Sequence, residues 1–220
     1  MPKQVDYAGR RRRIAEAVCL LVGEHGPEGV GMRDVAARAQ VSLGAVQRCF
    51  RSKGEMLLFA VEHVGERVTE RVRVRLAASP AQSAATALSH MADEIALLRE
   101  EHRAEARTWL AFVARAAVGE PLADSLRNSY AALQGLIVRL IAEAAEGGSA
   151  GDSAGAGDVP PGVQREARAL LALADGLTVQ VLMGHSTAAE AEEVLHAHLA
   201  GLWGRLGCTP REVSPGSRAS

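Results

Sequence analysis

Leu57, Val61, Val64, Val68 and Val72 recur every three or four residues, and the same spacing returns in Leu88, Met91, Ile95 and Leu98. It returns again in Leu126, Tyr130, Leu133, Ile137 and Leu140. That period turns one face of an α-helix toward a core, whereas a half-buried strand alternates every second residue. Aromatic residues make up only 3% of the chain. Ala and Leu take their place, and both favour helix, while strands prefer branched and aromatic side chains. The expected fold class is all-α, with about nine helices.

Breakers divide the pattern. A first helix is expected over 10–25, where Ile14, Val18 and Leu21 share a face and Gly26-Pro27 stops it. Short helices over 32–39 and 43–50 flank a tight turn at Gln40-Val41, with Ser42 as the N-cap of the second. Ser52 caps a longer helix over 53–77, and Ser79-Pro80 ends it and opens the next. A helix over 102–118 carries Trp109, Phe112 and Val113, and Gly119-Glu120-Pro121 separates it from one over 122–146. Residues 147–162 are Gly, Ser, Ala, Asp and Pro with hardly any large apolar side chain. They lack the GK[ST] ending and preceding strand of a phosphate loop, so a flexible linker is expected. Apolar helices follow over 163–184 and 188–206, and 208–220 reads as a disordered tail.

The net charge of −1 is unevenly placed: residues 1–53 carry ten Lys/Arg against five Asp/Glu, and the rest fifteen against twenty-one. A basic N-terminal segment on an acidic body suits a polyanionic partner. Cys19, Cys49 and Cys208 are odd in number and far apart, which fits a reducing compartment. With no apolar leader behind the N-terminal Met and no membrane-length apolar run, the expected location is cytoplasmic, without a membrane partner. No metal, cofactor or catalytic residue is expected. His196 and His198 point to different faces of a helix, and His90 with Glu94 has no third ligand. Gly184-His185-Ser186-Thr187-Ala188 lacks the last glycine and the strand of a nucleophile elbow.

Function is concentrated in Met32-Arg-Asp-Val-Ala-Ala-Arg-Ala-Gln-Val-Ser-Leu-Gly-Ala-Val-Gln-Arg-Cys-Phe50. Two short helices joined by a tight turn can place the second in a DNA major groove. Val35, Ala36, Val41, Val46 and Phe50 supply apolar anchors, and Ser42, Gly44 and Ala45 keep the second helix free of bulk. The pattern Val41-Ser42-x-Gly44, then Phe50-x-Ser52-Lys53-x-Glu55-x-Leu57, resembles the N-terminal domain of the TetR family, and Arg33-Asp34-Val35-Ala36 resembles its preceding helix. Trp109-Leu-Ala-Phe112, Pro121-Leu122 and Asp175-Gly176-Leu177 look similar to the BetI-type branch. The departures are Gln47 and Cys49, where the family usually has aromatics, and Gly31, where it often has a hydroxyl residue.

The resemblance implies a helix-turn-helix DNA-binding domain over 8–68 (motif 31–50) and a helical ligand-binding and dimerisation domain over 69–207. It further implies a homodimer, double-stranded operator DNA and a small-molecule effector as partners, and a repressor rather than an enzyme. The expected DNA contacts are Ser42, Leu43, Gly44, Ala45, Gln47, Arg48, Lys53 and Arg33. The ligand pocket is expected at Met91, Trp109, Phe112, Tyr130 and Asp175, where the last interrupts a Leu/Ala run and answers either a cationic ligand or a side chain such as Arg107. Leu177, Val181, Leu195, Leu199, Leu202 and Trp203 are the expected dimer interface, since helices apolar on several faces must be covered on several sides. A helical enzyme around His90, Arg107 and Asp175, or a dimerisation module without DNA binding, are the competing readings.

Overall fold

Caps and apolar faces set the helices of the computed structural model, which describes residues 6–78, 83–119, 122–146 and 160–208. Among these the chain forms α1 (Tyr7–His25), α2 (Met32–Arg38), α3 (Leu43–Cys49), α4 (Lys53–Ala77), α5 (Ala84–Ile95), α6 (Arg103–Ala116), α7 (Leu122–Glu146), α8 (Pro161–Leu182) and α9 (Ala188–Leu206). One 3₁₀ turn, Glu100–His102, leads into α6.

The ends follow local chemistry. α1 starts earlier than its apolar pattern, because the Asp6 carboxylate accepts from Gly9 N–H at 2.8 Å and caps three extra residues. α5 opens at Ser83, whose hydroxyl accepts from Thr86 N–H, rather than at Ser79-Pro80; residues 79–82 lie outside the described part. The expected linker is shorter at its end, since Pro161 and Gly162 already belong to α8. Proline suits the first helical position, where no intrahelical N–H is needed. The rest of that linker, and the expected tail beyond Cys208, also lie outside the described residues. α9 begins with a capping box in which Thr187 and Glu190 satisfy each other's backbone donors.

The chain divides into two compact units, residues 1–68 with 99–130, and 69–98 with 131–220. In the first, α1 packs against α2, α3 and α6. Its core joins Ile14, Val18, Val35, Val46, Phe50, Met56 and Phe112, all without exposure or nearly so. This unit is larger than the 8–68 segment because α6 covers one flank of α1: Thr108 Oγ1 lies 2.7 Å from the Cys19 carbonyl, as well as bonding within α6 to Ala104. In the second unit α9 packs on α8 and α5, around Leu170, Leu195 and Leu202. Thr178 bonds the Ala96 carbonyl and so ties α8 to the end of α5.

Candidate nucleic-acid interface

The turn between α2 and α3 is a Schellman closure. Val41 N–H donates to the Ala36 carbonyl at 2.9 Å and Gln40 N–H to Ala37 at 3.2 Å, with Gln40 in the left-handed region at φ 55°. Two carbonyls left open at the end of α2 are thereby satisfied within two residues. Ser42 then caps α3, its hydroxyl accepting from Ala45 N–H at 3.2 Å. Ending one helix and starting the next with four residues between them leaves the pair little freedom of crossing angle. At the other end of α2, the Asp34 carboxylate accepts from Gly31 N–H at 3.2 Å.

On α3, Val46 and Cys49 turn inward while Gln47 and Arg48 are exposed. Ser42 is exposed as well, and Leu43 and Gly44 are half-buried. The Arg48 guanidinium folds back over Gly44, its Nη1 3.6 Å from where a Cβ would stand. Helical side chains lean toward the N-terminus, and a methyl at position 44 would meet this guanidinium in ordinary contact. Arg33 is exposed on α2. Ala45 is a correction: at 6% exposure it faces the interior, so it thins the helix but offers no side chain to DNA. Lys53 sits at the start of α4 with Nζ donating to the Glu28 carbonyl at 2.8 Å. It therefore pins the α1–α2 turn to α4 in this structure.

The Ser52-x-x-Glu55 spacing has a local cause. Ser52 Oγ accepts from Glu55 N–H at 3.1 Å, and Glu55 Oε2 accepts from Arg51 N–H at 2.8 Å. Together they start α4 directly after α3. Among the N-terminal arginines, Arg11 is drawn inward: its Cζ lies 4.7 Å from the Phe50 ring centroid and 4.2 Å from that of Phe59, with Glu55 at 3.9 Å. This cation–π seat joins α1 to the end of α3. Tyr7, by a long 3.4 Å bond to the Cys49 carbonyl, touches the same end. Sequence reasoning missed this seat, because an Arg run reads as exposed wherever the facing aromatics are distant in sequence.

The remaining expected sites fall as follows. Trp109 and Tyr130 form a tilted ring pair, centroids 5.6 Å apart, in the first unit. Phe112 is packed in that unit's core, and Met91 in the core of the second. Asp175 is half-buried on α8. Of the expected interface, Leu177, Leu195, Leu199 and Leu202 are buried within the single chain, the last without exposure. This corrects their assignment: they hold α8 and α9 to the subunit's own core and have nothing left to offer a partner. Val181 and Trp203 are half-buried. No helix among the described residues is long and apolar enough to cross a membrane.

A helical chain with a capped helix-turn-helix and an exposed Gln/Arg edge defines the class of one-component DNA-binding regulators. Residues 14–60 match the family of bacterial regulatory proteins named tetR, and residues 84–204 match the BetI-type transcriptional repressor C-terminal domain. The chain belongs to the TetR family, in its BetI-type branch.

Similar proteins include the HTH-type transcriptional regulator PksA of Bacillus subtilis, 44% identical over 73 residues, which are 33% of this chain and 36% of that protein. The regulator BetI of Escherichia coli is 30% identical over 112 residues, 51% of this chain and 57% of BetI. The chain thus spans between about a third and just over half the length of these relatives. A regulator from Saccharomonospora viridis, solved in complex with choline, superimposes with a TM-score of 0.72 at 22% identity, covering 88% of this chain and 96% of that one. At that identity the likeness carries the fold alone.

Proposed function

We propose that this regulator is a dimeric repressor that binds a pseudo-palindromic operator through α3 and leaves it when a small organic effector binds. The observation that carries the DNA reading is the exposed edge of α3, Gln47 and Arg48 beside Gly44, held by a Schellman turn and a serine cap. Arginine pairs with guanine and glutamine with adenine at major-groove edges. The excess of basic residues over 1–53 supports phosphate contact, Arg33 among them. Leu43 suits a thymine methyl, and Ser42 and Gly44 allow the backbone to approach closely. Lys53, bonded to the Glu28 carbonyl by one N–H, keeps two further donors for this surface.

The BetI-type C-terminal match supports repression, and the choline bound by a structural neighbour supports a small organic effector. Trp109 and Tyr130, paired within the first unit, offer aromatic faces for it. Dimerisation is assigned to the outer faces of α8 and α9, where Ala172, Gly176 and Met183, and Val194, Ala197 and Gly204, are exposed. In a symmetric dimer the two α3 helices must enter major grooves about 34–36 Å apart.

The test is a duplex selected from a random library by the full-length protein, then titrated against Arg48→Ala. Specific binding should weaken by roughly 1–3 kcal/mol, with unchanged melting because Arg48 is exposed. An affinity equal to that of the wild type removes Arg48 from the readout.

A further inference from the structure

The second unit holds a cluster of charges that the DNA-facing surface does not use. Arg71 and Arg75 stand one turn apart on α4, and both reach one carboxylate on α5. Arg71 Nε donates to Glu94 Oε2 at 3.0 Å, and Arg75 Nη1 to Glu94 Oε1 at 2.9 Å. Arg75 Nη2 is also 3.4 Å from Asp93 Oδ2, and Asp93 Oδ1 is 2.8 Å from His196 Nε2 on α9. Glu94 is 5% exposed, on the same face of α5 as the buried Met91. The α5 pattern carried a signal for it, since position 94 falls three residues after Met91 and four before Leu98.

A buried ion pair adds little stability over apolar residues of the same volume, but separating its partners leaves a charge in the interior. The two costs act differently on motion. The neighbouring buried side chains of α4 are valines, Val68 and Val72, repeated at one-turn spacing. Such contacts tolerate displacement, whereas guanidinium–carboxylate bonds are directional. An effector typically shifts a two-state equilibrium about 5–150-fold. Tearing a buried carboxylate from its arginine disfavours a state more strongly, on the order of 10²- to 10³-fold. The clasp therefore stays shut through a transition of that size, and the last turns of α4 travel with α5.

We propose that Glu94 is a positioning residue for DNA recognition: through Arg71 and Arg75 it locks the end of α4 to α5. Because α4 is one unbroken helix that starts directly after α3, a displacement of α5 then reaches the recognition helix. This role rests on the reading of α3 as the helix that enters the groove.

The experiment compares the full-length wild type with Glu94→Gln, Glu94→Asp and the triple variant Arg71→Met, Glu94→Met, Arg75→Met. The triple variant removes the burial penalty and keeps the fold should the single substitution not. Backbone hydrogen exchange over 69–77 should rise about tenfold in Glu94→Gln and stay near the wild type in the triple variant, where apolar contacts replace the charges, with 53–68 unchanged in both. Affinity for the library-selected duplex should fall about tenfold in both, and Glu94→Asp should recover most of it. Unchanged exchange over 69–77 in Glu94→Gln overturns the clasp. Raised exchange with wild-type DNA affinity overturns the positioning role and leaves the ion pairs structural. Should the wild type select no duplex at all, the DNA reading fails, and the exchange measurement still decides the clasp.

Discussion

Gln40 is held at φ 55° by the hydrogen bonds of its turn. The left-handed region costs an L-residue roughly 1–2 kcal/mol, most of all a β-branched one. Glycine escapes that cost but loses more entropy on folding. Gln40→Gly should therefore be neutral or stabilising by up to about 1 kcal/mol, whereas Gln40→Val should destabilise by about 1–2 kcal/mol, both read from chemical denaturation. A harmless Gln40→Val would mean that the turn is not closed in this way. His63 offers a second handle. It is buried on α4 with Nε2 unpaired, and burial pushes its imidazole below the ordinary value, outweighing the pull of Glu16 on α1 and Glu105 on α6. Arg67 lowers it further, and Glu66 opposes. The unfolded chain then takes the proton first. Stability is complete above about pH 6.5 and is lost as pH falls through the depressed folded value. Relative to the wild type, His63→Leu should flatten the loss of denaturation midpoint between about pH 7 and 5; parallel curves for the two proteins would count against the assignment.

Among the elements, the face that a helix buries is set by what lies against it, and this is where sequence reading ran out. The limits of α4, α7 and α9 follow from apolar spacing between strong breakers and caps, and all three were legible. The start of α1 was not, because Asp6 caps a turn without apolar residues. For α9 the period correctly gathers Leu195, Leu199 and Leu202 on one face, yet a period cannot say whether that face meets the subunit's own core or a partner. The structure turns it inward, leaving small residues outside. A Cβ added at Gly176 or Gly204 meets nothing within 4 Å. Gly176→Arg should thus be tolerated by the subunit, with a helix-propensity gain of up to about 1 kcal/mol, but should block close approach of a second copy. Sedimentation should show monomers that retain their helical content. A Gly176→Arg protein that sediments like the wild type places the interface elsewhere. The capped α2–α3 pair was legible because its capping chemistry lies within twenty consecutive residues, whereas the Glu94 clasp joins residues on three helices.

At the level of the whole molecule, the bond between Thr108 and the Cys19 carbonyl spans 89 residues of chain, and it bears on how the protein is born. The surface of α1 that α6 covers stays open until the ribosome has made the residues up to about 130. At about 5–20 residues per second, the 62 residues from 69 to 130 take roughly 3–12 s to synthesise. During that interval the DNA-reading helices exist without their full support, exposed to proteases and to premature contacts. A fragment ending at residue 78 should accordingly show less helix by circular dichroism than α1–α4 would contribute, and should be digested quickly. One ending at 146, which supplies α6 and all of α7, should resist digestion over its first 68 residues. Equal resistance of the two fragments would show that the reading head matures alone, before its buttress is translated.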